Sequence, residues 1–173
     1  MTSFIIFFII NLPKNDVYIY ILGVDLNRNA SKAASGAADF SAKIWNAVSG
    51  EEELNLTHKH IVKSVNFSSC SKYLASGSND KKLRIFDLEH HEEPKVIFEG
   101  HTSGIKQILF TPNDRQLISC SDDKTLRFWD SSSGTEIRKL DLSGPIGGME
   151  LSKDGNIITV AHGQSVSFIN ANR

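Results

Sequence analysis

Cysteine is scarce: Cys70 and Cys120 are the only two in the 173-residue chain. They lie far apart and in no C-x-x-C pair, which excludes a disulfide framework and a zinc knuckle and fits a reducing compartment. Charge of one sign is lacking too. Nineteen Lys and Arg against twenty Asp and Glu leave a formal charge of −1, so no overall positive field draws the chain to nucleic acid or to an anionic membrane. Long hydrophobic runs are absent: the longest, Phe4 to Ile10, is seven residues, against the roughly 20 that a membrane-spanning helix needs. Before it, "MTS" offers no basic stretch, and "NLPKND" after it offers no small-residue cleavage point, so a signal peptide is not expected. The sequence contains no G-x-x-x-x-G-K-[ST] and no G-x-S-x-G, and "GPIGG" at 144–148 precedes a strand-like run, which favours a turn over a phosphate cradle. Three N-x-S/T sequons stand at Asn29, Asn55 and Asn66; the last sits in the alternating run "IVKSVNF", where a glycan would obstruct a packed strand.

What is present is a repeat. Aligning "ADFSAKIWNAVSG", "NDKKLRIFDLEHH" and "DDKTLRFWDSSSG" puts Asp39, Asp80 and Asp123 in register, and likewise Trp45, Phe86 and Trp129. The aspartates stand 41 and 43 residues apart, the period of a four-stranded propeller blade. Upstream, "HKHIVKSVNFSSCSKYLASGSND" lies over "HTSGIKQILFTPNDRQLISCSDD", placing His58 on His101 and Phe67 on Phe110. A fainter fourth copy follows, with "SVSFIN" under "TLRFWD". Each copy carries period-2 alternation or short apolar runs separated by Ser, Asn and Asp turns, so the copies are strands, and no stretch has helical periodicity. One such unit cannot bury its own apolar faces, so neighbours must stack around an axis.

"GHTSG" at 100–104 followed by "SDDKTLRFWD" at 121–130 resembles the WD-repeat β-propeller family. The resemblance implies an all-β chain, a partial propeller of about four blades where the family has seven. The blades are expected near 22–56, 57–99, 100–143 and 144–170, the last incomplete. It also implies, in each complete blade, a hydrogen-bonded tetrad of histidine, serine, aspartate and tryptophan. The third copy offers His101, Ser119 or Ser121, Asp123 and Trp129. The second offers His58 and Asp80, with Phe86 in place of the indole. The first offers Asp39 and Trp45, its histidine register landing on Val17, and the fourth has Gly163 and Ile169 where the aspartate and tryptophan belong.

The adjacent acids Asp122 and Asp123 are therefore expected to fasten a turn. Neighbours in a strand or its entry point in opposite directions, which suits a catalytic pair poorly. "HKH" at 58–60 and "HH" at 90–91 lack a converging ligand set, so no metal and no cofactor are expected. The lysines at 59, 63, 81, 82 and 106 form a solvated rim. Residues 1–21 are an atypical N-terminal segment, expected not to be native to the domain, and the chain is expected to be an internal portion of a longer propeller.

Within the family, "KAASGAADFSAKIWNAVSGEE", "HKHIVK", "GHTSGIK" and "SDDKTLRFWD" resemble a branch of non-catalytic scaffolds. That resemblance implies protein partners: components of the survival-motor-neuron complex, which loads Sm proteins onto spliceosomal small nuclear RNAs, and the TGF-β receptor with Smad proteins. It implies a cytoplasmic and nuclear location and no direct sequence-specific nucleic-acid binding. The alternatives are the WD-repeat subunit of translation initiation factor three and, from a different class, a propeller enzyme.

Overall fold

The structure is a computed structural model that describes residues 20–171. Val17 and all but the last two residues of the 1–21 segment lie outside the described residues. Those described form fifteen strands and no helix, in four antiparallel meanders. Blade 1 is β1 (Ile21–Leu26), β2 (Lys32–Ala37), β3 (Ser41–Asn46) and β4 (Glu52–Thr57). Blade 2 is β5 (Val62–Phe67), β6 (Tyr73–Ser78), β7 (Leu83–Asp87) and β8 (Val96–Phe98). Blade 3 is β9 (Ile105–Phe110), β10 (Gln116–Ser121), β11 (Thr125–Asp130) and β12 (Glu136–Asp141). Blade 4 has three strands, β13 (Ile146–Leu151), β14 (Ile157–His162) and β15 (Ser165–Asn170). The four meanders make an all-β, partial WD-type propeller.

The turn between the first two strands of every blade is built the same way, from different letters. Asn27, Ser68, Thr111 and Ser152 each turn a side-chain oxygen back to accept the N–H five residues on, at 2.9, 3.0, 3.1 and 2.9 Å respectively. The residue three positions after each takes φ between 54° and 72°: Ala30, Ser71, Asp114 and Gly155. Short hydroxyl and amide side chains close such turns because they substitute locally for a backbone acceptor.

Alternation along the strands gives each blade two apolar faces, and three slabs of core lie between neighbours. Ala34, Ala42, Ile44 and Leu56 of blade 1 meet Val62, Val65 and Phe67 of blade 2. Leu83, Ile85 and Phe98 of blade 2 meet Ile105, Ile108, Phe110 and Trp129 of blade 3. Ile118, Cys120, Leu126 and Phe128 of blade 3 meet Ile146, Met149, Ile158 and Val160 of blade 4. The second slab is tight at Gly77, where a Cβ would stand 2.6 Å from Ile105 Cγ2, so only glycine fits there.

Polar side chains on the inner strands β1, β5 and β9 tie each of the first three blades to the next. Asp25 accepts the Phe67 N–H at 2.7 Å and the Asn66 amide at 3.0 Å. Asn66 Oδ1 in turn accepts the Phe110 N–H at 2.7 Å, and Ser64 Oγ accepts that of Ile108 at 3.1 Å. Gln107 clamps Met149, accepting from its N–H and donating to its carbonyl, both at 2.8 Å. Each satisfies an inner-strand backbone group that has no ladder partner on that side. Asn66 is thus committed to the blade contact, and the structure gives its sequon no free side chain. At the turns, Asp114 of blade 3 accepts the N–H groups of Ser69 and Cys70 at 2.7 and 3.0 Å.

Candidate functional site

Blade 3 assembles one continuous chain of hydrogen bonds. The Trp129 indole N–H, on β11, donates to Ser119 Oγ on β10 at 2.8 Å. Ser119 meets His101 Nε2 at 2.7 Å, and His101 Nδ1 meets Asp123 Oδ2 at 2.8 Å. A carboxylate only accepts, so Nδ1 carries the proton, Nε2 accepts the serine hydroxyl, and the imidazole is neutral. Asp123 also accepts the Thr102 N–H at 2.9 Å and the Thr125 N–H and hydroxyl at 3.0 and 2.6 Å. Ser119 fills the serine place. Ser121, the other candidate, points its hydroxyl to the carbonyls of Ser103 and Gly104 at 3.1 and 2.9 Å and so closes the β8–β9 loop instead.

Electrostatics agrees with that polarity. Burial alone would raise the Asp123 carboxyl, but donors from Thr125, Thr102 and His101 outweigh it and hold the group well below the usual carboxylate range. Burial lowers the His101 imidazole against the pull of Asp123. An acid held ionised and fully bonded has no proton to give and no free lone pair aimed at solvent. Asp122 turns away and pairs with Lys63 of blade 2 at 3.1 Å. The two adjacent acids do not converge.

Blade 2 departs from the tetrad expected of His58 and Asp80. His58 Nε2 meets Ser76 Oγ at 2.7 Å, but Nδ1 donates to the Leu56 carbonyl at 3.0 Å. Asp80 turns to Arg84, with Nη2 to Oδ2 at 2.6 Å and Nη1 to Oδ1 at 3.2 Å. The cause lies in the neighbours. In blade 3 the matching Arg127 is drawn off by Glu136 at 2.6 Å, and Thr125 adds a hydroxyl to the aspartate. In blade 2 the threonine place is Lys82, which pairs with Glu99. Phe86 supplies an edge to the His58 ring, centroids 5.6 Å apart, but no N–H. Burial, with Arg84 nearby, pushes the His58 imidazole down to about 4.

In blade 1 the Trp45 indole donates to Ser35 Oγ at 2.9 Å, while Asp39 accepts the Ser41 N–H and hydroxyl at 3.0 and 2.6 Å and so holds only its own turn. Blade 4 replaces the tetrad with a group that the repeat alignment does not reveal: His162 is buried, Nε2 at 2.7 Å from Ser167 Oγ and Nδ1 at 3.2 Å from Ser143 Oγ. Its signal in the sequence is a histidine immediately before Gly163, the residue that stands where the aspartate belongs.

Other constellations are thin. Asp87, Glu89 and His90 bring ligand atoms within 4.8 Å of one another at the surface, with Lys95 already beside Asp87 at 3.4 Å. Exposed acidic groups gather in this way without a metal. Cys120 is buried between blades 3 and 4, where burial pushes its thiol up to about 12 and makes it inert.

The WD domain, G-beta repeat family matches residues 51–87 and 92–130. The chain carries WD40 repeats. Each matched stretch reaches from the outer edge of one blade to the third strand of the next: the first holds β4 with β5–β7, the second β8 with β9–β11. The sequence repeat is thus offset from the blade by one strand, so the repeat that contains the full tetrad also supplies the outer strand of blade 2. Among curated proteins, the serine-threonine kinase receptor-associated protein of Homo sapiens is 48% identical over 152 residues, 87% of this chain and 43% of the relative. That of Gallus gallus is 46% identical over 151 residues, with the same coverage. The protein of that name from Dictyostelium discoideum is 40% identical over 146 residues, 84% of this chain and 50% of the relative. The chain therefore spans half or less of the length of these relatives.

Two outcomes are expected. Trp129→Ala lowers stability by about 3–5 kcal/mol through lost packing, and Trp129→Phe by about 1–3 kcal/mol through the unsatisfied Ser119 and His101 pair; urea midpoints check both, and unchanged midpoints contradict the tetrad. The second concerns acid. The folded His58 value near 4 lies below the ordinary 6.5, so the unfolded chain binds more protons between them. Stability from His58 is complete above about 6.5 and falls as the pH drops toward about 4. His58→Gln should flatten that part of the pH profile of the urea midpoint; an equal slope contradicts it.

Proposed function

We propose that this chain is a non-catalytic scaffold that holds protein partners on the loops of a rigid repeat frame. The observation that carries this is the identity of 46–48% to vertebrate proteins whose name makes them receptor-associated, over 87% of the chain. The site geometry supports it: Asp80 is spent on Arg84 and His101 on Asp123, His58 is bonded to Ser76 and the Leu56 carbonyl, and among the described residues no free acid, base and nucleophile converge. Propeller loops carry the binding chemistry while the frame stays constant.

The finer proposal is that the partners are a serine/threonine kinase receptor of the TGF-β class with its Smad proteins, and components of the survival-motor-neuron complex in small nuclear ribonucleoprotein assembly and mRNA splicing. A cytoplasmic and nuclear location belongs to this proposal. The name of the relatives supports the receptor; the resemblance of "AADFSAKIWNAVSG" to the scaffold branch supports the assembly role.

Immobilised chain is expected to retain purified survival-motor-neuron complex and the cytoplasmic kinase domain of the receptor, and not initiation factor three. Retention of the initiation factor instead moves the chain to the alternative scaffold. Turnover in a hydrolase panel, lost on Asp123→Asn with the fold intact, overturns the scaffold proposal.

A further inference from the structure

Blades 2 and 3 each have a described blade on both sides, so the loops along their upper edge, where the inner strands begin, are seen in their own surroundings. Those loops form one continuous surface. The Asn79 N–H donates to the Ile61 carbonyl at 2.8 Å and Ser78 Oγ to that of His60 at 3.0 Å, which seats the β6–β7 turn on the β4–β5 loop. The β8–β9 loop lies against the same turn: a Cβ on Gly104 would stand 2.3 Å from Asn79 Oδ1. The Asp122 N–H then donates to the Gly104 carbonyl at 3.0 Å and brings in the β10–β11 turn.

Charge on this surface is one-sided. Its acids are already engaged: Asp80 turns inward to Arg84 and Asp123 to His101, while Asp122 pairs with Lys63 and Glu99 with Lys82. Lys59, Lys81 and Lys124 are exposed, and their ammonium groups bond no described residue. Lys63 and Lys106 share the second position of adjacent inner strands, and Lys106 meets the Ile146 carbonyl rather than a carboxylate. At the opposite edge of blade 2, Glu89, Glu92 and Glu93 of the β7–β8 loop are exposed and form no ion pair with a described residue. The formal charge of −1 is thus the sum of a basic edge and an acidic one.

Backbone conformation marks two of the same lysines. Lys81 and Lys124 hold the left-handed place of their turns, at φ 72° and 65°, where blade 4 has Gly163 at 56° and blade 1 has Phe40 at 71°. A lysine there carries a steric cost that glycine or asparagine largely avoids. Neither lysine side chain belongs to a core cluster or closes a hydrogen bond that would offset that cost. Residues held in such a conformation without a packing role point to a function at the surface.

Resting on the scaffold proposal above, we propose that the upper edge of blades 2 and 3 binds a carboxylate-rich segment of a protein partner, which Lys59, Lys81 and Lys124 meet directly. Lys63 and Lys106 extend the basic surface inward, because the Lys63–Asp122 pair is exposed and such pairs exchange partners at little cost. Nucleic acid is the other common polyanion, but single strands are held by aromatic side chains that stack the bases. The lysine-bearing turns at 79–82 and 122–124 carry none.

The test uses a fluorescein-labelled oligoglutamate peptide, followed by anisotropy against the purified 173-residue chain. Saturable binding is expected, weakening as salt rises to the physiological level. Lys81→Asn with Lys124→Asn should lower the affinity by about fivefold to tenfold through the lost ion pairs. The urea midpoint of that double variant should hold or rise, since asparagine relaxes the left-handed turns, whereas a structural role for the lysines would lower it. Lys72→Asn with Lys153→Asn, on exposed turns of the opposite edge, should leave the affinity unchanged. Immobilised, the Lys81, Lys124 variant should retain less of any partner that the parent retains. Absence of oligoglutamate binding, or an equal loss on both double variants, overturns the proposal. Undiminished retention of a partner by the Lys81, Lys124 variant also overturns it and leaves the scaffold proposal standing. Oligouridylate bound more tightly than oligoglutamate, and released by the same variant, overturns it in favour of nucleic acid. A parent chain that binds oligoglutamate as described but retains no named partner supports the acidic-ligand surface and counts against the scaffold's named partners instead.

Discussion

The hydrogen bonds from Trp129 through Ser119 and His101 to Asp123 run in one direction, and each donor has an acceptor placed by a different element. Indole and serine come from neighbouring strands, the histidine from the loop that leaves blade 2, and the aspartate from the turn between β10 and β11. One loop conformation therefore fixes both where blade 2 ends and where blade 3 begins. The chain holds only while His101 stays neutral, and burial lowers its proton affinity while Asp123 remains ionised beside it. Buried polar groups that are all satisfied give a frame one arrangement; leaving one unpaired costs more than the bond gained.

Around that fastening the blades stack by apolar slabs and by the inner-strand ladder. The slabs supply most of the stabilisation, since burial of aliphatic and aromatic surface dominates folding free energy. The ladder adds register: an amide or carboxylate that must meet one particular backbone group on the next strand disfavours sliding of one sheet over another. The offset between sequence repeat and blade adds a third restraint, because removing one repeat would take an outer strand from one blade and three strands from the next. A frame so restrained presents its loops at fixed positions, which suits partner binding better than chemistry that needs a mobile lid.

Much of this was legible in the sequence because the repeat marks it. Trp129, Asp123 and His101 stand out because the same letters, or close substitutes, recur at a fixed period, and an all-β propeller follows from that period. The choice between Ser119 and Ser121 was not legible, since both alternate to the same side of β10 and only the loop position separates them. Nor was the diversion of Asp80. "DKKLR" and "DKTLR" differ by one letter, yet the lysine for threonine, with a distant Glu136 present in one blade, sends the arginine to a different carboxylate. The ladder was hidden for a different reason: its partners lie 41 to 44 residues apart and use Asp, Asn, Ser and Gln for one task, so no repeated letter signals it. His162 was missed because it belongs to a group the other blades do not have.

The directionality of the blade 3 chain is the central claim, and the proton on His101 tests it most directly. Long-range nitrogen–proton correlation spectra of the imidazole at neutral pH should show a neutral ring with the proton on Nδ1 and a slowly exchanging Trp129 indole N–H. A ring protonated on Nε2, or an indole proton that exchanges as fast as an exposed one, would contradict the chain of donors on which the blade arrangement rests.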